Sequence, residues 1–183
     1  LFGSCNGPSC RRLMQFLNFL CTVYLTVIRG TPVVVQLLIA YFVIFASSKN
    51  DMLVAIIAFG INSGAYVAEI FRSGIMAIDT GQFEAGRSMG FNYLQTMRYI
   101  IIPQMFKIVL PMLCNEFIVL LKETSVAGYV GTMDLTKAGD LIRGRTFSAF
   151  MPLIAVALIY LSLVVVLTRL AGLLERRLRR NER

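Results

Sequence analysis

Long apolar blocks, close to the length of a membrane-spanning helix, constrain this chain more than any other feature. About 20 mostly apolar residues cross a bilayer as a helix, and 57% of the 183 residues are hydrophobic. The cleanest block runs from Phe150 to Leu174, and four others cover residues 13–28, 32–47, 52–78 and 104–121. The first of these is amphipathic and could lie on the membrane surface or continue an upstream helix. The pattern predicts an all-α integral membrane protein with four or five spanning helices.

Basic residues lie beside the apolar blocks, which is how membrane orientation is encoded. The net charge is +8, and the last eight residues contain Arg176, Arg177, Arg179, Arg180 and Arg183. Because lysine and arginine are enriched on the cytoplasmic side, this tail is predicted to be cytoplasmic. Counting back through the spans places the loop at 79–103, together with Arg12 and Arg29, on the same side, and a loop at 122–145 outside. The charges form no basic face, so no nucleic-acid partner is expected.

Candidate residues for enzyme chemistry are missing from the sequence. It has four cysteines and no histidine, and the cysteines do not have metal-ligand spacing. No nucleophile–base pair is visible, and no Gly-x-x-x-x-Gly-Lys-Ser/Thr segment could hold ATP phosphates. We therefore predict no catalytic residue, no metal and no cofactor bound by this chain, which would not itself be an enzyme.

The segment at 79–103 predicts a short helix between two spans. Asp79 or Thr80 can cap its start, and Glu84 lies early in it, where the helix dipole favours an acid. Gly90 can end it in a left-handed conformation, and Pro103 suits the start of the next span. Ala85 and Gly86 are small enough to let another protein approach closely.

The same segment resembles the loop signature of permeases in ATP-binding-cassette importers. That signature is Glu-Ala-Ala, three residues, Gly, nine residues, Ile-x-Leu-Pro, and its counterparts here are Glu84, Ala85, Gly86, Gly90, Ile100, Ile102 and Pro103. Gly86 replaces an alanine and Ile102 replaces a leucine. The resemblance implies that Gln82, Phe83, Glu84, Ala85, Gly86 and Gly90 belong to a coupling helix that docks a separate ATPase.

Further segments resemble one branch of that family, the polar amino-acid permeases of the histidine and glutamine transporter type. They are Arg29-Gly30-Thr31-Pro32 with Gln36, Asn62-Ser63-Gly64-Ala65-Tyr66 with Glu69 and Arg72, Gly81 to Ala85, Pro103-Gln104, Asn115-Glu116, Lys122 to Ser125, and Arg145-Thr146-Phe147. The likeness extends from Arg11 to Arg177. Together the motifs are specific, although each alone is weak.

The resemblance implies a type I importer permease fold and a set of partners. A second permease, identical or related, would complete the path, and an extracytoplasmic binding protein would deliver substrate. Two ATPase subunits would carry ATP and magnesium on the cytoplasmic side of the bacterial inner membrane. It also implies a missing upstream helix, so we divide the chain into an N-terminal stretch (1–12), a permease domain (13–174) and a basic tail (175–183).

Polar residues recur on one face of the third apolar block. The first of them is Asn62, and Tyr66, Glu69 and Ser73 follow it by four, seven and eleven positions. This spacing places all four residues on one helical face. Ionisable groups inside a bilayer are costly and are therefore functional candidates. These residues could line a translocation path. Alternatively, Glu69 pairs with Arg72, and Asn62 and Tyr66 form hydrogen bonds between helices.

A second polar group lies in and after the fourth block. Glu116, beside Asn115, could meet the ammonium group of an amino acid, or it could pair with Lys122. Thr124 and Ser125 could belong to a broken-helix gate that touches substrate, or to a helix end that meets water.

Two other functions remain compatible with the spans. An ion-coupled secondary transporter would use the same buried acids without docking an ATPase. A non-transporting membrane scaffold would tolerate substitution of Asn62, Glu116 or Thr124. The loop signature favours the ATP-driven importer, but the residues do not identify which amino acid is carried.

Overall fold

The structure, a computed structural model, describes residues 8–47 and 50–180, and all regular elements in those ranges are helical. The α-helices are α1 Pro8–Gly30, α2 Val33–Ile39, α3 Asp51–Met76, α4 Thr80–Ser88, α5 Tyr93–Thr96, α6 Ile102–Glu123, α7 Leu135–Thr146 and α8 Phe150–Arg180. Short π-helices, Ala40–Ile44 and Met97–Ile101, extend α2 and connect α5 to α6, and a 3-10 helix, Thr124–Val130, follows α6. The predicted all-α fold is confirmed.

Four helical segments are long and apolar enough to cross a membrane: Arg12–Gly30, Asp51–Met76, Tyr93–Val130 and Phe150–Arg177. The prediction of a span at 32–47 is wrong. The helix there covers only Val33–Ile44, which at 1.5 Å per residue is about 18 Å long. This is well short of the roughly 30 Å hydrocarbon core.

The central pair of helices, α3 and α6, runs antiparallel. Asn50 caps α3 by accepting a hydrogen bond from the Leu53 backbone N–H at 3.2 Å. Asn62 of α3 lies beside Glu123 of α6, and twelve residues later Gly74 contacts Val109. The pair therefore has two distinct ends, which we call the α4 end and the Asp51 end after the elements found there.

Helix α1 runs in the same direction as α3 where the two touch. The Tyr24 hydroxyl donates to the Ile61 carbonyl at 2.6 Å, and Arg29, one turn further, lies 3.7 Å from Glu69. Arg12 is therefore about 26 Å from Arg29 along the α1 axis. Sequence analysis predicted that Arg12 and Arg29 lie on the same side of the membrane. With this separation, both can do so only if α1 does not cross the membrane.

Apolar packing concentrates in two clusters, one at each end of the α3–α6 pair. At the Asp51 end the buried residues are Leu37, Ala40, Val54, Ala55, Ala58, Phe59, Ala127 and Val130. At the α4 end they are Ile78, Met97, Ile101, Met105 and Val109. The second cluster contains residues from both sides of α4 in the sequence, Ile78 before it and Met97 after it. Both chain segments that lead into and out of the short helix are therefore packed in the core.

Helix α7 was not predicted, since the 122–145 segment was interpreted as a loop. Asp134 caps α7 by accepting a hydrogen bond from the Lys137 backbone N–H at 2.7 Å, and Gly139 is buried against α8, where a Cβ would lie 2.6 Å from a Val156 methyl. The hydrophobic spacing of this helix is weak because its one buried position is a glycine.

Helix α8 begins beside α7 and returns along α6. Leu167, Leu170 and Leu174 form a groove with Leu113 and Phe117 of α6. Since α8 has 31 residues, its C-terminal part extends toward the α4 end. The helix continues to Arg180, so the proposed basic tail after 174 is a continuation of α8 as far as the structure describes it.

Candidate functional site

The ends of α4 are fixed by local hydrogen bonds and one glycine. The Asp79 side chain accepts from the Gly81 N–H at 2.9 Å, as the sequence predicts. Gly90 has φ +80°, the left-handed conformation that glycine adopts without strain. Asn92 and Gln95 then form a reciprocal capping box that starts α5. The predicted short helix, its Asp79 cap and its glycine end are all present.

One face of α4 is held against the rest of the protein. Phe83 packs on the cluster around Met97 and Ile101. Gly86 is buried, and a Cβ there would lie 2.6 Å from Cγ2 and 2.7 Å from Oγ1 of Thr96. Glycine, in place of the alanine of the importer signature, therefore allows α4 to lie closer to α5. The resulting contact holds α4 in a fixed orientation.

The opposite face of α4 is exposed and presents both charged and small side chains. Glu84, Ala85, Arg87 and Ser88 are exposed. Large apolar side chains in the segments on either side of α4 are exposed as well: Met76 is 69% exposed, Met89 69% and Leu94 73%. Such a helix has the form of a docking element, because its inner face is fixed and its outer face combines apolar contact with charge.

A side-chain amide contact joins α4 to α6. The Gln104 amide donates to the Gln82 Oε1 atom at 3.1 Å. Gln104 is the third residue of α6. A displacement of α4 would therefore be transmitted directly to the first turn of α6. The predicted start of this span at Pro103 is wrong, because the apolar helical segment begins at Tyr93.

Glu69 is held by two arginines from different helices. Its carboxylate accepts from the Arg72 Nε at 2.8 Å and lies 3.7 Å from an Arg29 nitrogen. The Arg29 guanidinium lies over the Tyr66 ring, 5.6 Å from its centroid. Glu69 and Tyr66 therefore connect α3 to the C-terminal end of α1, an arrangement that favours the ion-pair interpretation of Glu69.

Asn62 is the most buried of the polar residues predicted on α3, with 2% of its surface exposed. Its amide donates to a Glu123 carboxylate oxygen at 3.4 Å. Ser73 donates to the Ile70 carbonyl of its own helix at 3.0 Å. The predicted polar stripe is thus divided: Asn62 faces α6, whereas Tyr66 and Glu69 face α1.

The polar residues of α6 and the 3-10 helix do not form one cluster. Asn115 is exposed, and Glu116 is half-buried without a hydrogen bond or ion pair to any side chain in the described ranges. Thr124 donates to the Leu121 carbonyl at 2.7 Å. Ser125 lines a small polar cavity of about 160 Å³ with Lys137 and Asp140.

A larger cavity of about 630 Å³ lies at the Asp51 end between α3, the end of α6 and the segment before α7. Its polar residues are Ser63, Thr124, Thr132 and Asp134. Sequence reasoning missed Thr132 and Asp134 because 122–145 was treated as a surface loop. The available signal was Asp134 directly before the first residue of α7, Leu135, which is the pattern of an N-cap.

The whole described chain matches a known family model. The family is described as "Binding-protein-dependent transport system inner membrane component", and the match covers residues 1–180.

Two curated relatives and one solved structure are similar over most of the chain. The putative glutamine transport system permease protein GlnP of Rickettsia bellii is 36% identical over 181 residues, covering 97% of this chain and 81% of the relative. The arginine transport system permease protein ArtQ of Bacillus subtilis is 38% identical over 162 residues, covering 87% and 74%. A crystal structure of an amino acid ABC transporter with histidines is 46% identical with a TM-score of 0.81, covering 85% of this chain and 74% of that one.

Proposed function

This chain belongs to the binding-protein-dependent transport system inner membrane components, and from that premise we propose that it is the amino-acid-conducting subunit of an ATP-driven importer, which receives its ATPase at α4. Members of this family are membrane permeases whose ATPase is a separate subunit. The names of the relatives, which include glutamine and arginine permeases, support polar amino acids as the substrate class.

The observation that carries the proposal is that α4 has a packed inner face and an exposed outer face. Phe83 and Gly86 fix the inner face against α5 and the cluster below it, while Glu84 and Ala85 remain exposed. A groove in the ATPase would receive this outer face and the neighbouring Met89 and Leu94. Gln82 belongs to the same element and connects it to Gln104 of α6. Gly90 ends the element in a left-handed conformation.

Coupling would proceed from the ATPase pair to the spans as a rigid-body movement. ATP and magnesium are held by the ATPase, where phosphoryl chemistry takes place. Closure of the pair displaces α4, and the Gln82–Gln104 contact and the buried base of α4 transmit the displacement to α6. The α3–α6 pair then changes its tilt and exposes the path alternately to the two sides.

We place the substrate path along the α3–α6 pair, completed by a second permease. Asn115, Glu116, Thr124 and Ser125 contribute polar groups on the α6 side, and Asn62 orients Glu123 toward them. Tyr66 and Glu69 act nearer the α4 end, where their contacts with Arg29 link the path to α1. A binding protein would deliver substrate at the Asp51 end.

The proposed orientation puts α4 in the cytoplasm of a bacterial inner membrane. The C-terminal part of α8, with Arg176 and Arg177, extends toward the same end as α4. Arg72, Arg87 and Arg98 also belong to that end of the chain. This concentration of arginine supports a cytoplasmic α4 and C-terminus under the positive-inside rule.

The test is reconstituted uptake with an ATPase subunit and a binding protein from the same organism. The variant Ala85→Asp places a charge on the docking face, and Ala46→Asp places the same charge at an exposed residue of the opposite end. We expect Ala85→Asp alone to abolish co-purification of the ATPase and ATP-dependent uptake of labelled glutamine, arginine and histidine. Uptake driven by an ion gradient without ATP would establish a secondary transporter instead, and no uptake by the wild-type complex would reject the proposal.

A further inference from the structure

Two buried side-chain oxygens stand out because they have no hydrogen-bond partner. Among the residues that the structure describes, Thr132 Oγ1 and Asp134 Oδ2 are the buried side-chain atoms left unsatisfied. They lie two residues apart, just before α7. A buried oxygen without a donor costs free energy that a native fold normally avoids. Two neighbouring buried oxygens that both lack a donor indicate a site for a ligand with hydrogen-bond donors.

Both residues line the cavity of about 630 Å³ at the Asp51 end. Ser63 and Thr124 contribute hydroxyl groups from the opposite walls. The remaining surface is mainly apolar and includes Phe59 and Leu120. An apolar cavity with a few convergent polar groups is the usual form of a small-molecule site.

The two oxygens of Asp134 have different surroundings. Oδ1 accepts from the Lys137 N–H at 2.7 Å and caps α7. A Cβ on Gly128 would lie 2.8 Å from that same oxygen, so glycine at 128 lets the 3-10 helix pack directly against the cap. The second oxygen, Oδ2, is buried and is left without a hydrogen-bond partner.

The local charge favours a cation despite the nearby helix end. A helix N-terminus carries roughly half a positive elementary charge, and the Asp134 carboxylate carries a full negative one. The sum is still negative by about half a charge. The neighbouring lysine, Lys137, lines the smaller cavity with Asp140 and is not among the residues that line the larger one.

We infer that this cavity binds the ammonium group of the transported amino acid, with Asp134 as its counter-charge and Thr132 as a second acceptor. The inference rests on the proposed function and names the part of the substrate that this end of the path recognises. An ammonium group has three N–H donors, of which two match the unpaired oxygens Asp134 Oδ2 and Thr132 Oγ1 and one remains for a further acceptor. The site would thus select α-amino acids over otherwise identical acids without an amine.

The experiment measures direct binding to the purified permease–ATPase complex without its binding protein. The probes are radiolabelled glutamine, arginine and histidine, each in competition with its desamino analogue, which for glutamine is 4-carbamoylbutanoate. Asp134→Asn retains a cap of similar quality but removes the charge, and Thr132→Val removes the hydroxyl at nearly constant volume. We expect either variant to weaken binding about tenfold or more and Asp134→Asn to lose preference for the amine.

The matched control is Asp140→Asn, the same change on α7 outside the larger cavity, which should bind like the wild-type complex. Unchanged affinity and unchanged amine preference in Asp134→Asn would overturn the inference. So would a wild-type complex that transports an amino acid but binds none of the probes directly, because the cavity would then hold water only. A wild-type complex that transports no amino acid would count against the proposed function, and the binding measurement would still decide the cavity.

Discussion

Gly86 and Thr96 are so close that no side chain larger than hydrogen fits between them. A Cβ on Gly86 would lie 2.6 Å from the Thr96 methyl and 2.7 Å from its hydroxyl oxygen. Thr96 is itself buried, at 2% exposure, and its hydroxyl donates to the Asn92 carbonyl at 3.1 Å. Gly86 stands where the importer signature has an alanine, and the space that the alanine methyl would occupy is taken by Thr96 of α5.

The first prediction concerns this contact. Gly86→Ala gains up to about 1 kcal/mol of helix propensity but overpacks the α4–α5 interface at a cost of about 1–3 kcal/mol. We expect a net loss of about 1 kcal/mol and poorer stimulation of ATP hydrolysis by substrate. The measurements are thermal unfolding of the purified complex and ATPase activity in proteoliposomes.

Two further variants make that test specific. Thr96→Ala removes both obstructing atoms, so Gly86→Ala should be less harmful on the Thr96→Ala background than on the wild-type one. Gly81→Ala, in the first turn of the same helix, brings a Cβ only to ordinary contact at 3.5 Å from Asp79 and should be tolerated. Equal damage from both glycine substitutions would show that the loss of glycine flexibility, rather than the Thr96 contact, governs α4.

The elements set by local sequence could be predicted. The α4 helix follows from Asp79 as a cap and Gly90 as a left-handed stop, and both depend on residues within a few positions of the helix. The spans at 52–78 and 150–174 follow from their length and their predominantly apolar composition. Sequence alone is sufficient where one short segment determines the conformation.

Contacts between distant segments could not be predicted. The importance of Gly86 depends on Thr96 across a turn, and the role of Asp134 depends on a cavity walled by α3 and α6. Helix α7 was missed because it buries a glycine rather than a large apolar side chain. The apolar run at 32–47 was interpreted as a span because composition does not reveal that the helix ends at Ile44.

The second prediction tests whether Glu69 is structural. Glu69→Gln removes the charge that Arg72 and Arg29 share, in a partly exposed cluster where solvent screening weakens each ion pair. We expect a lower unfolding temperature of the complex and an unchanged ranking of glutamine, arginine and histidine in uptake competition. A changed ranking without loss of stability would instead assign Glu69 to substrate recognition.

The third prediction concerns the polar contact between α3 and α6. Asn62→Leu removes the donor to Glu123, and hydrogen bonds between membrane helices average about 0.6 kcal/mol with a maximum near 1.7. We expect destabilisation in that range, measured by unfolding of the purified complex in a mild detergent. Glu123→Gln keeps an acceptor and should cost less, while a cycle of single and double variants should show a coupling energy of the same size as the bond. Strict additivity of the two substitutions would mean that the contact contributes nothing.

The fourth prediction fixes the orientation of the chain. Ser88→Cys places a thiol on the exposed face of α4, and Ala46→Cys places one at an exposed residue of the Asp51 end. In a background with Cys5, Cys10, Cys21 and Cys114 replaced, an impermeant maleimide should label Ala46→Cys in intact spheroplasts. It should label Ser88→Cys only after the membrane is opened, and added ATPase subunits should protect that thiol because they cover α4. Labelling of Ser88→Cys in intact spheroplasts would place α4 on the wrong side for an ATPase, and the coupling role of Glu84 and Ala85 would be excluded with it.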